Sequence, residues 1–204
     1  MRGRIHWLGH SSIRIEGDKT VYVDPWNLKK GSPVADVILI THSHYDHCSA
    51  PDVGKIRREK TLVFAPSDCA EQFQFPFTSV RPGWQQSLEG VTFEAIPAYN
   101  LDKPFHPRSR QWVGYVIEMG GERIYVSGDT DAVPEMEAVQ ADVVIVPVGG
   151  TYTMTAAEAA AAVDKIRPRL AIPIHFGEVV GSLRDAEKFK ELCRTPVEIL
   201  TKST

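Results

Sequence analysis

Residues 41–49 read THSHYDHCS, which puts His42, His44, Asp46 and His47 within six positions. Neutral imidazole and carboxylate are good ligands for zinc, iron and manganese, and one short loop after a buried strand could offer all four to an ion. As solvated surface histidines they would be unusually dense. Two later strand-like runs end in the same way: RIYVSG leads to Asp129 and LAIPI to His175, as DVILIT leads to His42. Ligands collected at strand C-termini converge on one rim of a sheet. Alone, Asp129 would read as a turn aspartate in GDTD and His175 as a satisfied strand-end histidine, so each takes its metal reading from the first cluster. Six candidates exceed the four ligands of a single tetrahedral zinc. They point to two divalent ions sharing a carboxylate, with Asp129 as the bridge. Zinc is the expected metal, with manganese, iron and nickel as alternatives.

The elements that must position these residues are mostly strands. RIHWL, SSIRIE, TVYVD, DVILIT, TLVFA, VTFEAIP, WVGYVIE, RIYVSG, DVVIVPV and LAIPIH are apolar or alternating runs bounded by turns. Gly17-Asp18 and Gly120-Gly121 mark antiparallel hairpins, while DVILIT and DVVIVPV read as strands buried on both faces. Two helices stand out. TAAEAAAAVDKI carries a capping-box spacing at Thr155 and Glu158, and SLRDAEKFKEL begins at Ser182, a suitable N-cap. Ala35-Asp36-Val37 and Ala141-Asp142-Val143 each precede a buried run, a three-residue echo of the kind that also arises by chance.

Composition limits the function. The chain has 204 residues, 43% of them hydrophobic and 24% charged, and a formal charge of -3, with no basic excess suited to nucleic acid. The start MRGRIHWLGH has no apolar leader core, and VILI and VVIV are too short to span a bilayer, so a cytoplasmic protein without a membrane partner is expected. Cys48, Cys69 and Cys193 are odd in number and far apart, which suits reduced structural thiols. The whole chain, 1–204, is expected to form one domain, and homo-oligomerisation stays open.

The motif THSHYDH resembles the HxHxDH signature of the metallo-β-lactamase superfamily, SGDTD its later aspartate segment, and IPIHFGE its final histidine segment. WLGHSS, YVDP, PAYN and GYVIE extend the resemblance over most of the chain, toward the compact lactonase-like and N-acyl-lipid phosphodiesterase-like branch. The resemblance implies an α/β fold, a four-layer αββα sandwich of mixed sheets with the metal site at one edge. It further implies that His42 and His44 hold a first metal, that Asp46, His47 and His175 hold a second, and that Asp129 bridges them. In one place the chain departs from the pattern: PAYN puts Asn100 where a further histidine ligand is expected. His106, six residues later in the polar loop DKPFHPRSRQ, could supply the missing imidazole if that loop folds back; otherwise Asn100 binds weakly, or His106 faces substrate or solvent.

A bound divalent ion lowers the pKa of water to about 7 from 15.7, so the expected activity is hydrolysis of a small-molecule ester, lactone, amide or phosphoester by metal-bound hydroxide. Asp46 is the expected catalytic carboxylate, orienting that hydroxide or taking its proton. His10 in LGHSS could reach the rim as an orienting or substrate contact, and Asp24 could orient a ligand imidazole. Tyr45, Tyr152 and Trp26 could line a pocket or simply pack, and Cys48 reads as a small buried thiol. Lys103, Arg108 and Arg110 suit either a solvated loop or attraction of an anionic substrate. The competing functions are a phosphodiesterase or nuclease with the same dinuclear site, and a non-hydrolytic mononuclear metal protein.

Overall fold

Alternation with a period of two places the apolar residues of each strand on two faces, and both faces need cover. In the computed structural model, which describes residues 4–203, they receive it in four layers. The first sheet holds β1 (Ile5–Gly9), β2 (Ser12–Glu16), β3 (Thr20–Val23), β4 (Val37–Leu39), β5 (Leu62–Pro66) and β6 (Thr78–Val80), in that spatial order. The second holds β7 (Gln85–Leu88), β8 (Val91–Pro97), β9 (Val113–Met119), β10 (Glu122–Val126), β11 (Val143–Pro147) and β12 (Leu170–Ile174), also in unbroken order. Strands β1 to β3 and β7 to β10 pair antiparallel; β3 to β6 and β10 to β12 run parallel. Both expected hairpins, β2–β3 and β9–β10, are present.

Between the sheets lies the central core, where Ile13, Val21, Val37 and Leu39 face Phe93, Tyr115, Ile117, Ile145 and Ile172. The intervening residues point outward and need helices. Ile38, Ile40 and Val63 are covered by Val53 and Ile56 of α1 (Ala50–Ile56). After the short α2 (Pro134–Glu137), the helices α3 (Ala156–Ile166) and α4 (Leu183–Leu192) cover Val144, Val146 and Ala171 with Ala159, Val163 and Phe189. The capping box of Thr155 and Glu158 opens α3 as the sequence predicts. Four elements escape the sequence reading, among them the four-residue α2. β6 and β7 are three- and four-residue, largely exposed strands, too short and polar to carry a period, and α1 is seven residues long with Pro51 and Gly54 inside. Among the described residues no helix is long and apolar enough to cross a membrane.

Short α1 is anchored by one carboxylate directly after the histidine loop. Asp52 accepts hydrogen bonds from the amides of Asn27 and Leu28 (both 2.9 Å), from Ser49 Oγ (2.7 Å) and from Lys55 Nζ (2.8 Å). Burial would raise its pKa, but the Lys55, Ser49, Leu28 and Asn27 bonds outweigh burial and hold it below the usual carboxylate value. Asp52→Ala is expected to lower stability by about 2–3 kcal/mol, since it removes charged hydrogen bonds and leaves two amides to find water. A depressed folded-state pKa contributes stability above the unfolded value that is lost as pH falls through the folded one. Urea unfolding should therefore show a constant wild-type advantage from neutral pH down to about 5, closing below about 4; an advantage that persists in strong acid would contradict this origin.

Candidate metal centre

The C-terminal ends of the parallel strands meet at one rim, where the two sheets are joined by backbone hydrogen bonds. Val113 N–H donates to Thr41 O (3.1 Å) and His175 N–H to His10 O (2.9 Å). β3 leads to Asp24, β4 to Thr41 and His42, β10 to Asp129 and β12 to His175. Three of the rim residues sit in the left-handed region, Asp24 and His10 at φ 48° and His175 at φ 59°, at a strain of about 1–3 kcal/mol each. Gly149 makes room for the last of them, because a Cβ there would lie 2.5 Å from His175 O.

Asp24 sets the geometry of the histidine loop. Its Oδ1 accepts from Thr41 N–H (2.7 Å) and its Oδ2 from Thr41 Oγ1 (2.6 Å) and His47 Nδ1 (2.7 Å). A carboxylate only accepts, so His47 carries a proton on Nδ1 and turns Nε2 toward the centre. The Thr41 hydroxyl proton is committed to Asp24, so His42 Nδ1, 2.9 Å from that oxygen, must donate to it, which frees His42 Nε2 as well.

The loop carrying His106 folds back over the rim. Asn100 N–H donates to His106 O (2.7 Å), while Asn100 Oδ1 accepts from His106 N–H and from His106 Nδ1 (both 3.0 Å). Its amide nitrogen donates to Tyr152 O at 3.0 Å. The Asn100 amide is thus spent on neighbours, and what it presents to the centre is the Nε2 of His106. Asn100→Ala is expected to leave the chain folded while metal affinity falls about 10- to 100-fold, the usual cost of losing the group that orients a ligand imidazole. A competition titration against a chelator would read this, and unchanged affinity would deny Asn100 the orienting role.

The freed nitrogens converge. Asp129 Oδ2 lies 2.9 Å from His175 Nε2, 3.5 Å from both His47 Nε2 and His106 Nε2, and 4.0 Å from His42 Nε2. His42 Nε2 and His44 Nδ1 approach to 3.1 Å. Two groups of potential ligand atoms result: His42, His44 and His106 on one side, and His10, Asp46, His47 and His175 on the other. Among the described residues the buried Nε2 atoms of His47, His106 and His175 have no hydrogen-bond partner, the 2.9 Å approach of His175 to Asp129 included. Unpartnered, buried imidazole nitrogens around a carboxylate form a donor set that suits a cation. The electrostatics favour ligation most clearly in the first group. Burial lowers the pKa of His42, of His44, and of His106 to about 4, favouring the neutral form that ligates. Burial also pulls on His47, but Asp129 and Asp24 outweigh it and hold that pKa well above the usual value. At Asp129 burial is opposed by His175 and His47, which keep the carboxyl well below its usual range.

The sequence-predicted residues are therefore brought together, His10 included: its Nε2 lies 3.0 Å from Asp46 Oδ2 and its ring 4.1 Å from that of His175. Trp26 meets His10 edge-on at 5.5 Å and Tyr45 stands beside Trp26, while Tyr152 packs against Phe105. Cys48 is buried. Of the three loop cations, Lys103 pairs with Asp131 (2.6 Å) and Arg108 with Glu135 (2.8 Å); Arg110 is 58% exposed. Two contributors were not foreseen. Thr41 adjoins the histidine motif in sequence, and its hydroxyl was the available signal. Trp112, whose ring lies 5.0 Å from His42 and 4.9 Å from His44, has no local signal at all.

Comparison with known proteins gives a consistent result. A family model described as a beta-lactamase superfamily domain matches residues 4–175. A UPF0173 metal-dependent hydrolase of Thermoplasma acidophilum is 33% identical over 209 residues, spanning 94% of this chain and 91% of that protein. A crystal structure from Parabacteroides distasonis superposes with a TM-score of 0.88 at 28% identity, covering 98% of this chain and 93% of that one. Igni18, a metallo hydrolase from Ignicoccus hospitalis, shares the fold with a TM-score of 0.77 at 22% identity, covering 98% and 95%.

Proposed function

Because the chain belongs to the beta-lactamase superfamily and is a metal-dependent hydrolase of the UPF0173 kind, we propose that it cleaves a small-molecule ester, lactone, amide or phosphoester at a centre of two divalent ions. His42, His44 and His106 would hold the first ion, Asp46, His47 and His175 the second, and Asp129 would stand between them. The mixed imidazole and carboxylate set fits zinc best. Residues 1–204 act as one hydrolase domain, since ligands come from both sheets. One observation carries this reading: the partnerless buried Nε2 atoms of His47, His106 and His175 all face Asp129 Oδ2.

With divalent ions bound, water is acidified to a pKa of about 7 and the oxygen under attack is polarised. The chain's own groups supply orientation. Asp24 and Thr41 hold His47 and His42 in one tautomer, and Asn100 does so for His106. At Asp46, burial acts against the charged form, but the His10 hydrogen bond and the charge on His47 win and lower the pKa. Asp46 therefore stays a carboxylate, an acceptor that aligns the attacking water before it takes a proton. Buried His10, 3.0 Å away, holds that carboxylate in place.

The test is metal content per chain in protein purified without chelator or metal-binding tag, followed by a panel of esters, lactones and phosphodiesters. About two ions per chain, with hydrolysis lost to chelator and restored by zinc, is the expected result. One ion or fewer in fully active protein would refute the dinuclear centre.

A further inference from the structure

Beside the centre lies a cleft that the proposed chemistry leaves unused. It opens at the C-terminal ends of β5 and β6, has a volume of about 590 Å³, and is lined by Ser67, Ser79, Arg81, Trp84, Arg110 and Gln111 among others. That is ample for part of a small ligand. Among the described residues its lining has two guanidinium groups and no carboxylate. His42 follows β4, and β6 lies two strands along the same sheet, so cleft and centre are about 10 Å apart at a strand spacing of about 4.8 Å.

Trp112 and its neighbours form the wall between them. On one side the ring packs 5.0 Å from His42, 4.9 Å from His44 and 5.6 Å from His106; the Arg110 guanidinium lies 5.8 Å from the same ring. Trp112 Nε1 and Ser43 Oγ both donate to Asp68 Oδ2 at 2.9 Å, which locks the wall to the histidine loop. Arg110 forms only a loose ion pair with that oxygen, at 3.6 Å and beyond hydrogen-bond reach, so its N–H groups are not tied up in a hydrogen bond to it. Arg81 has no side-chain partner among the described residues. Lys103 and Arg108, in contrast, are paired at 2.6 and 2.8 Å. Gln111, held at φ 57°, closes the tight turn that sets Arg110 on the cleft.

We propose that this cleft receives an oxyanion group of the substrate, a carboxylate or phosphate carried about 10 Å from the bond that is cleaved, read by Arg81 and Arg110. Guanidinium forks match the planar carboxylate and the phosphate alike. The partly buried Trp84 indole offers an apolar surface for the chain connecting the charge to the reacting bond. The inference rests on the hydrolytic reading for its chemistry, but the cleft binds the anion whether or not turnover follows.

Two measurements separate the claims. In the first, 4-nitrophenyl monoesters of straight-chain dicarboxylic acids are compared with esters of monocarboxylic acids of equal length, and a third series ends in a phosphonate. Wild type should prefer a charged series at least about tenfold in kcat/KM, through KM, as charged hydrogen bonds imply. Arg81→Gln/Arg110→Gln should lose that preference, and Arg81→Lys/Arg110→Lys should keep part of it. Which charged series is favoured identifies the oxyanion. In the second, suberate is titrated against tryptophan fluorescence. Saturable binding weakened about tenfold in the glutamine variant supports the cleft, even if no ester is hydrolysed and the hydrolytic reading fails. Equal suberate affinity in wild type and variant, or no preference for charge in an enzyme that turns over both series, would overturn it.

Discussion

Asp129→Asn is expected to strip the protein of most of its metal and to lower hydrolysis by about 10³-fold or more. Asp129 Oδ2 is the atom around which the imidazoles of His175, His47, His106 and His42 gather, at 2.9 to 4.0 Å. An amide keeps the shape but carries no charge, so it cannot offset two cations or bridge them. Elemental analysis should find less than one ion per chain, while far-UV circular dichroism stays that of wild type, because the sheets do not depend on this side chain. Two ions retained in Asp129→Asn would remove it from the proposed centre.

Asp46→Asn should act differently. The group formed by His42, His44 and His106 does not include Asp46, so at least one ion per chain should remain. The expected loss falls on kcat, about 10²- to 10⁴-fold, the range for removing a positioned proton acceptor. Metal content and kcat must be measured on the same preparation. Retained kcat would deny Asp46 its catalytic role; loss of all metal would make it a structural ligand only.

The legible part of the centre was local in sequence. His42, His44, Asp46 and His47 fall within six residues, so their convergence needs no fold beyond a loop after a buried strand. Asp129 and His175 were legible one step removed, as the terminal residues of apolar runs. The partnership of Asn100 with His106 was not, because its direction depends on a loop closed by hydrogen bonds from both ends. Nothing near Trp112 in the chain announces that it would face His42 and His44.

The three-residue echo also gains substance in three dimensions. Asp36 bonds Thr20 through its N–H, its carboxylate accepts from Thr20 N–H, and its carbonyl accepts from Leu62 N–H. Asp142 repeats each bond with Arg123 and Leu170. In both sheets an aspartate clamps the starts of three adjacent parallel strands. Sequence alone had no means of separating this from coincidence, since the equivalence lies in hydrogen bonds to distant residues.

By itself the sequence determined the doubly buried strands and the main helices and singled out six residues that gather at the rim, because periodicity and motif spacing are properties of short stretches of chain; the fold class came from resemblance to a known family. Tertiary structure decided which nitrogen each histidine presents, how His106 enters, where the edge strands β6 and β7 lie, and that Arg81 and Arg110 share a cleft beside the rim. Each of these depends on groups far apart in the chain meeting at distances of a few ångströms, and only the packing of one sheet on the other sets those distances.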